Sequence, residues 1–230
     1  MIESKTKESI LSLLDELLAG KVMDSISLQR YILNNVDEFE PEGVRLSLYK
    51  WYYDLGIEDV IKRKFELSPC PFSSEELREA EKCNEIVLCV PKGITRVELG
   101  KLFRIDNWAF NDPIATRVTE KEDCWFRTNR NTAPGFLGEK GIDIEQRFSR
   151  EGKLSFSMER YLVFLARMKY LLGIVPDSEY WIWLPAGRYD RSGMLIAGFD
   201  RNMNFNVHGW MPQFSASFLG ARYGILPKNA

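Results

Sequence analysis

The sequence predicts an α+β protein, with a small helical unit at the N-terminus and a mixed α+β body that ends in an antiparallel sheet. Three observations lead to this prediction. Apolar residues recur at helical spacing before residue 66 and again over residues 157–172. The Pro-containing segment 68–72 interrupts any helix and marks a boundary. After residue 180, short apolar and aromatic runs are separated by Gly, Pro, Asn and Asp, which is typical of strands joined by turns.

The first 66 residues have the pattern of several helices. Apolar residues at a 3.6-residue period predict helices over residues 4–19, around 28–36, from Pro41 to 55 and over 57–61. We therefore assign residues 1–66 to a helical unit and residues 73–230 to an α+β domain, whose antiparallel sheet covers residues 180–225.

Capping boxes predict where two helices of the α+β domain begin. In each pair, Ser73 with Glu76 and Thr95 with Glu98, a hydroxyl residue precedes a glutamate by three positions. The remaining patterns predict strands near residues 85–90, 107–111 and 123–128 and a helix over 157–172. More than half of the circumference of that last helix is apolar, so we expect it to pack on two sides and to lie under the terminal sheet.

Both faces of the terminal sheet are expected to be covered. Trp181 and Trp183 fall on one face of the first strand, and Ile182 and Leu184 fall on the other. The apolar run 194–199 has the pattern of a central strand, because it shows no polar face.

Composition limits the class of protein. The chain has 230 residues, of which 45% are hydrophobic and 28% charged, as in globular proteins. The charged N-terminus does not resemble a secretory signal, and no apolar run is long enough to span a bilayer. We therefore predict a cytoplasmic protein without a membrane partner. Four cysteines without metal-type spacing and a single histidine predict no metal site and no cofactor.

A hydrolase-type enzyme is one alternative, and it would depend on the only histidine, His208. This imidazole would need a nucleophile such as Ser215, Ser217 or a cysteine, and an orienting acid such as Asp190 or Asp200. The sequence lacks a G-x-S-x-G motif, and both aspartates lie in segments typical of turns. His208 is expected on the more polar side of its strand, since it alternates with Val207.

A nucleic-acid binder is the second alternative, based on the region 101–130. Basic and aromatic residues interleave there, as on surfaces that bind single strands by charge and stacking. Alternating aromatic and charged residues also fit a strand with one buried and one solvated face. The residues concerned are Lys101, Arg104, Arg117, Arg127, Arg130, Trp108, Trp125 and Phe126.

Several short motifs resemble those of a family of bacterial proteins that has no assigned activity. They are Gly93-Ile94-Thr95, Gly138-Glu139-Lys140-Gly141-Ile142, the helix 161–172, Trp183 with Gly187-Arg188-Tyr189, and Gly220-Ala221-Arg222. The similarity covers about residues 45–225 and implies a bacterial origin. The last forty residues also resemble the end of a C-type-lectin-like domain, which implies a scaffold that binds ligands with variable loops.

The favoured prediction is a non-catalytic interaction or ligand-binding protein that uses loops of the C-terminal sheet. Arg188, Tyr189, Asp190, Trp210 and Arg222 are the candidate binding residues, because Arg, Tyr and Trp supply much of the energy at recognition surfaces. The partner would be a protein or a small ligand, and self-association is left open. In the competing interpretation, Trp210 and Phe214 close the open face of the sheet and Arg222 pairs internally.

Overall fold

The structure is a computed structural model that describes residues 39–105, 107–111 and 120–228. The chain divides into two compact units, Met1–Asp37 and Glu38–Ala230, and the helices and strands below belong to the second. The helices predicted over residues 4–19 and 28–36 lie outside the described residues.

The second unit has an α+β fold, as predicted. Its described helices are α1 (Pro41–Asp54), α2 (Ile57–Ile61), α3 (Ser74–Lys82), α4 (Arg96–Phe103), α5 (Gly141–Arg150) and α6 (Met158–Leu172). Its described strands are β1 (Glu85–Val90), β2 (Cys124–Asn129), β3 (Leu154–Ser155), β4 (Trp181–Arg188), β5 (Met194–Phe199), β6 (Phe205–Trp210), β7 (Leu219–Ala221) and β8 (Tyr223–Gly224).

The predicted helix starts are confirmed at atomic detail. The side chain of Ser73 accepts a hydrogen bond from the backbone N–H of Glu76, and the Glu76 carboxylate accepts one from the N–H of Ser73. Thr95 and Glu98 form the same reciprocal pair at the start of α4. Each box satisfies two backbone donors that a helix leaves without an internal partner.

The C-terminal sheet has four strands in the order β6-β5-β4-β7. Strands β4, β5 and β6 are antiparallel neighbours, which confirms the prediction for residues 181–210. Strand β7 instead pairs with β4 in parallel, so the sheet is not wholly antiparallel. The reason is topological: the chain leaves β6 at one edge and returns through residues 211–218 to the opposite edge. Strands β1 and β2 form a separate antiparallel pair, as do β3 and β8.

Both faces of the terminal sheet are covered, as its alternation predicts. Ile182 and Leu184 belong to the large core, which also contains the buried side of α6. Trp183 belongs to a smaller core on the other face, where it meets Ile144 and Phe148 of α5. Strand β4 therefore contributes side chains to both cores.

Helix α6 packs against several elements of the described unit. It contacts β4 of the terminal sheet and also α4 and β1, which confirms that it packs on more than one side. Ten of its fifteen residues are buried, including the charged Glu159, Arg160 and Arg167. Charged side chains are seldom buried without a partner, so each of these needs a physical explanation.

Helices α1 and α2 pack into the same core as the rest of the described unit. Leu48, Trp51 and Ile57 share that core with β1 and α6. The described part of the predicted unit 1–66 is thus continuous with the body. The division of the chain at residues 66–73 stays a prediction, because much of that unit lies before residue 39.

The strand predicted over residues 107–111 is wrong. Trp108–Phe110 form a turn of 3-10 helix instead, and the Asn107 side chain caps it by accepting the N–H of Ala109 at 2.9 Å. The Asn107 amide also donates to the carbonyl of Phe205 at 2.9 Å, which ties this turn to β6. A polar side chain that bonds local backbone favours a cap or turn over a strand.

Candidate functional site

The end of β4 and the start of the turn to β5 carry three of the predicted binding residues. Arg188 donates to the carbonyls of Pro185 at 2.7 Å and Gly187 at 3.2 Å, and it forms an ion pair with Glu145 of α5. These contacts hold its guanidinium in one place while 36% of the side chain remains exposed. Arg188 is therefore an ordered, half-exposed cation at the end of the sheet.

Asp190 shapes the turn between β4 and β5. Its Oδ1 accepts the backbone N–H groups of Gly193 at 2.6 Å and Ser192 at 2.8 Å. These bonds favour the charged carboxylate and hold the pKa of Asp190 below its ordinary value. The turn role considered from the sequence is confirmed, and it leaves this oxygen engaged with backbone.

Tyr189 brings the β4–β5 turn against β6. Its ring lies next to Gly209, where a Cβ atom would approach it to 2.5 Å, so only glycine fits there. The Tyr189 ring also meets Trp108 edge-on with centroids 5.9 Å apart. Arg188 and Trp210 both pair with Met194 in the register of the sheet. Three predicted residues, Arg188, Tyr189 and Trp210, are thus brought to one end of the sheet.

Arg222 is placed in the interior rather than at this end. It is 1% exposed and binds both carboxylate oxygens of Asp177 at 2.7 Å. It also donates to the Asn129 side chain at 2.9 Å and to the Asn131 carbonyl at 2.7 Å. Its guanidinium carbon lies 4.6 Å from the centre of the Phe164 ring. The internal pairing considered from the sequence is confirmed, and Arg222 links three separate segments of the chain.

Two opposing effects act on the pKa of Asp177 in its buried pair with Arg222. Burial raises the pKa of the Asp177 carboxyl, while the bonds from Arg222 oppose that rise. The hydroxyl of Tyr161 donates a further hydrogen bond to Asp177 at 3.3 Å. Arg222 therefore supplies the counter-charge of this buried carboxylate, and Tyr161 adds a third hydrogen bond.

Trp210 belongs to a surface of large apolar side chains, and the sequence identified only some of its members. Trp210 ends β6, three more exposed residues lie on the segment between β6 and β7, and two others lie just before and within α5. We call these six residues the 210–218 surface. They are Trp210 (40% exposed), Met211 (38%), Phe214 (59%), Phe218 (46%), Leu137 (41%) and Ile142 (38%).

The 210–218 surface is held by backbone hydrogen bonds. The N–H of Ile142 donates to the carbonyl of Pro212 at 3.0 Å, and the N–H of Trp181 donates to that of Phe218 at 2.9 Å. Within the loop, the N–H of Phe214 donates to the carbonyl of Met211 at 3.1 Å. The exposed rings thus project from a loop anchored to both α5 and β4. Trp210 and Phe214 are exposed and are not members of the smaller core, which Trp183 and side chains of α5 help to form.

Charge is missing from this part of the chain. Residues 202–221 contain no Asp, Glu, Lys or Arg, although such residues make up 28% of the whole sequence. This uncharged stretch is the sequence signal that could have identified Met211, Phe214 and Phe218 along with Trp210. Leu137 and Ile142 could not have been found in this way, since they lie outside the uncharged stretch, and backbone hydrogen bonds, from Ile142 to Pro212 and from Gly138 to Leu219, join their segment to it.

The hydrolase alternative depends on the surroundings of His208. His208 is exposed, and its ring lies against that of Trp181 in a tilted arrangement with centroids 5.3 Å apart. Asp200 is engaged in its own turn, where it accepts the N–H groups of Asn202 at 2.8 Å and Asn204 at 2.9 Å. Among the described residues, no serine or cysteine forms a hydrogen bond with the imidazole.

The residues proposed for nucleic-acid binding do not form one exposed face. Arg127 is buried near the carboxylates of Glu79 at 3.6 Å and Glu85 at 3.4 Å, and Arg130 pairs with Glu81 at 2.7 Å. Trp125 and Phe126 are buried in the core, whereas Trp108 is exposed. Arg117 lies outside the described residues. The positive charges of Arg127 and Arg130 are therefore balanced by carboxylates of the protein itself.

No protein-family model, curated protein sequence or solved structure matches this chain. The resemblances to the bacterial family and to the lectin-like ending therefore stay predictions. Across residues 39–105, 107–111 and 120–228, no three His, Cys, Asp or Glu side chains are grouped closely enough to hold a metal ion. No helix in the same ranges is long and apolar enough to cross a membrane.

Proposed function

We propose that this protein is a non-catalytic binding protein that contacts a protein partner through the 210–218 surface. The observation that supports this function best is the group of six exposed apolar side chains on and beside an uncharged loop. Large apolar patches on a folded surface mark interaction sites more often than chance exposure does.

The residue types of the surface support a protein partner. Aromatic residues and Met are enriched at the centres of protein–protein interfaces, while Lys, Glu and Asp are depleted there. Trp210, Phe214 and Phe218 supply the aromatic area, and Met211 supplies a side chain that adapts to irregular contacts. The partner is expected to present an uncharged, apolar patch of its own.

The neighbouring polar residues fit the rim of such an interface. Arg188, held by Glu145, lies at the same end of the sheet as Trp210. Rim charges influence the association rate and the choice of partner more than the affinity. Because the loop is anchored by backbone bonds, little conformational entropy would be lost when it binds.

Native mass spectrometry tests this function. The full chain and a Trp210→Ser/Phe214→Ser variant would be purified under native conditions from cells that make the protein. We expect the wild type to carry the added mass of a protein, either a different one or a second copy, and the variant to have lost it.

Two results would contradict the proposed function. One is a wild-type protein that carries no added protein mass. The other is a variant that carries the same mass as the wild type. Circular dichroism of the variant serves as the control for folding, since both replaced side chains are exposed and are not expected to support the core.

A further inference from the structure

Met211 begins a turn within the 210–218 surface. The turn ends at Phe214, whose N–H donates to the Met211 carbonyl at 3.1 Å. Its second residue, Pro212, accepts the N–H of Ile142 at 3.0 Å, which fixes the turn beside α5. Met211 therefore lies on an anchored turn, with the aromatic Trp210 directly before it and the aromatic Phe214 at its end.

Met211 is also one of two described methionines with an exposed side chain. The other is Met203, on the turn between β5 and β6, and it is the more exposed of the two. The remaining described methionines, Met158, Met168 and Met194, are buried. Because a peroxide must reach the thioether sulfur, Met211 and Met203 are the described methionines that it oxidises first.

Oxidation changes the polarity of the surface at this position. Methionine sulfoxide carries a polar S=O group where methionine has an apolar thioether. Residues 202–221 contain no charged side chain, and the expected partner patch is uncharged and apolar as well. A sulfoxide enclosed between two such surfaces loses its water without gaining a hydrogen-bond donor, which is unfavourable.

We propose that oxidation of Met211 by a peroxide releases the partner of the 210–218 surface. This inference rests on the proposed function, because it concerns the regulation of the same surface. Its physical basis is the placement of an exposed thioether on an anchored, uncharged turn between two exposed aromatic side chains.

The chemistry of the step is a two-electron oxidation. The sulfur donates an electron pair to one oxygen of hydrogen peroxide, the O–O bond breaks and an S=O bond forms. The proton of the transferred oxygen passes to the departing oxygen, which leaves as water. Thiol-dependent reductases return the sulfoxide to the thioether, with water and a disulfide as products, so the change is reversible.

Native mass spectrometry of the full chain before and after treatment with hydrogen peroxide tests the proposal. Peptide mapping would give the oxidised fraction at each methionine. We expect the untreated wild type to carry its protein partner, and the protein oxidised at Met211 to retain at least tenfold less of it. Met211→Leu keeps an apolar side chain of similar size that forms no sulfoxide, so its partner should stay bound after treatment.

Two further variants separate the effect of Met211 from general oxidation. Met203→Leu is the matched control, because Met203 is exposed but lies outside the 210–218 surface. This variant should still lose its partner after treatment. Met211→Gln places a polar group of similar length at position 211 and should lose the partner without any peroxide. Circular dichroism checks that each variant is folded.

Each outcome decides the matter. Loss of the partner from treated Met211→Leu would overturn the proposal, as would its retention by untreated Met211→Gln or by the wild type once Met211 is oxidised. Oxidation of Met211 no faster than that of the buried Met158 would overturn it without reference to any partner. A wild type that carries no protein mass before treatment would instead contradict the proposed function, and this switch with it.

Discussion

Replacing Arg222 with methionine is expected to lower the free energy of unfolding by about 3–5 kcal/mol, the range for breaking a buried ion pair from one side. The loss arises because Asp177 stays buried without its counter-charge, while the acceptors on the half-buried Asn129 and on Asn131 lose their donor. Chemical denaturation of the full chain measures it. The deficit should shrink as the pH is lowered, since a protonated Asp177 needs no counter-charge and burial already raises its pKa.

Arg167→Met is the matched control for this prediction. Both arginines are buried and both lie against aromatic rings, but only Arg222 has a carboxylate partner among the described residues. Arg167 forms no ion pair with a described carboxylate, so its removal is expected to leave the free energy of unfolding unchanged or to raise it. An equal loss of unfolding free energy in Arg222→Met and Arg167→Met would contradict the prediction, because it would show that the ion pair with Asp177 is not the cause.

Replacing Trp183 with alanine is expected to cost about 3–5 kcal/mol of unfolding free energy, as for other large core aromatics. The ring is fully buried, fills the smaller core, and donates its Nε1–H to the Glu139 carbonyl at 3.3 Å. Its removal would leave a cavity between the sheet and α5. Denaturant titration followed by circular dichroism measures the change.

Trp210→Ala is the control for that variant, because it removes the same side chain from the same sheet. Trp210 is 40% exposed, so we expect a change within about 0.5 kcal/mol, as for surface positions. A loss as large as that of Trp183→Ala would contradict the assignment of Trp210 to a binding surface, since its role would then be in folding.

The features that follow a local period could be predicted from the sequence. Alternation along β4 placed Trp183 and Ile182 on opposite faces, and the structure gives each face its own core. The capping boxes were equally predictable, because both members lie within four residues of each other. Local geometry determines these features, whatever the rest of the chain does.

The features that depend on distant segments could not be predicted. Arg222 meets Asp177 across 45 residues and Asn129 across 93, and nothing near Gly220 signals that its neighbour is buried. The parallel pairing of β7 follows from the path of the loop, which leaves no periodic signal. A cleft lined by Val44, Leu77, Ile86 and Arg167 likewise forms only where α1, α3, β1 and α6 meet.

The measurement that tests the central claim most directly is site-specific photo-crosslinking in cells that make the protein. Phe214→p-benzoylphenylalanine would place the reactive group on the 210–218 surface, and Tyr53→p-benzoylphenylalanine would place it on an exposed aromatic position of α1. We predict a discrete protein adduct from position 214 and none of the same mass from position 53. No adduct from position 214, or the same adduct from both positions, would contradict a binding role for this surface.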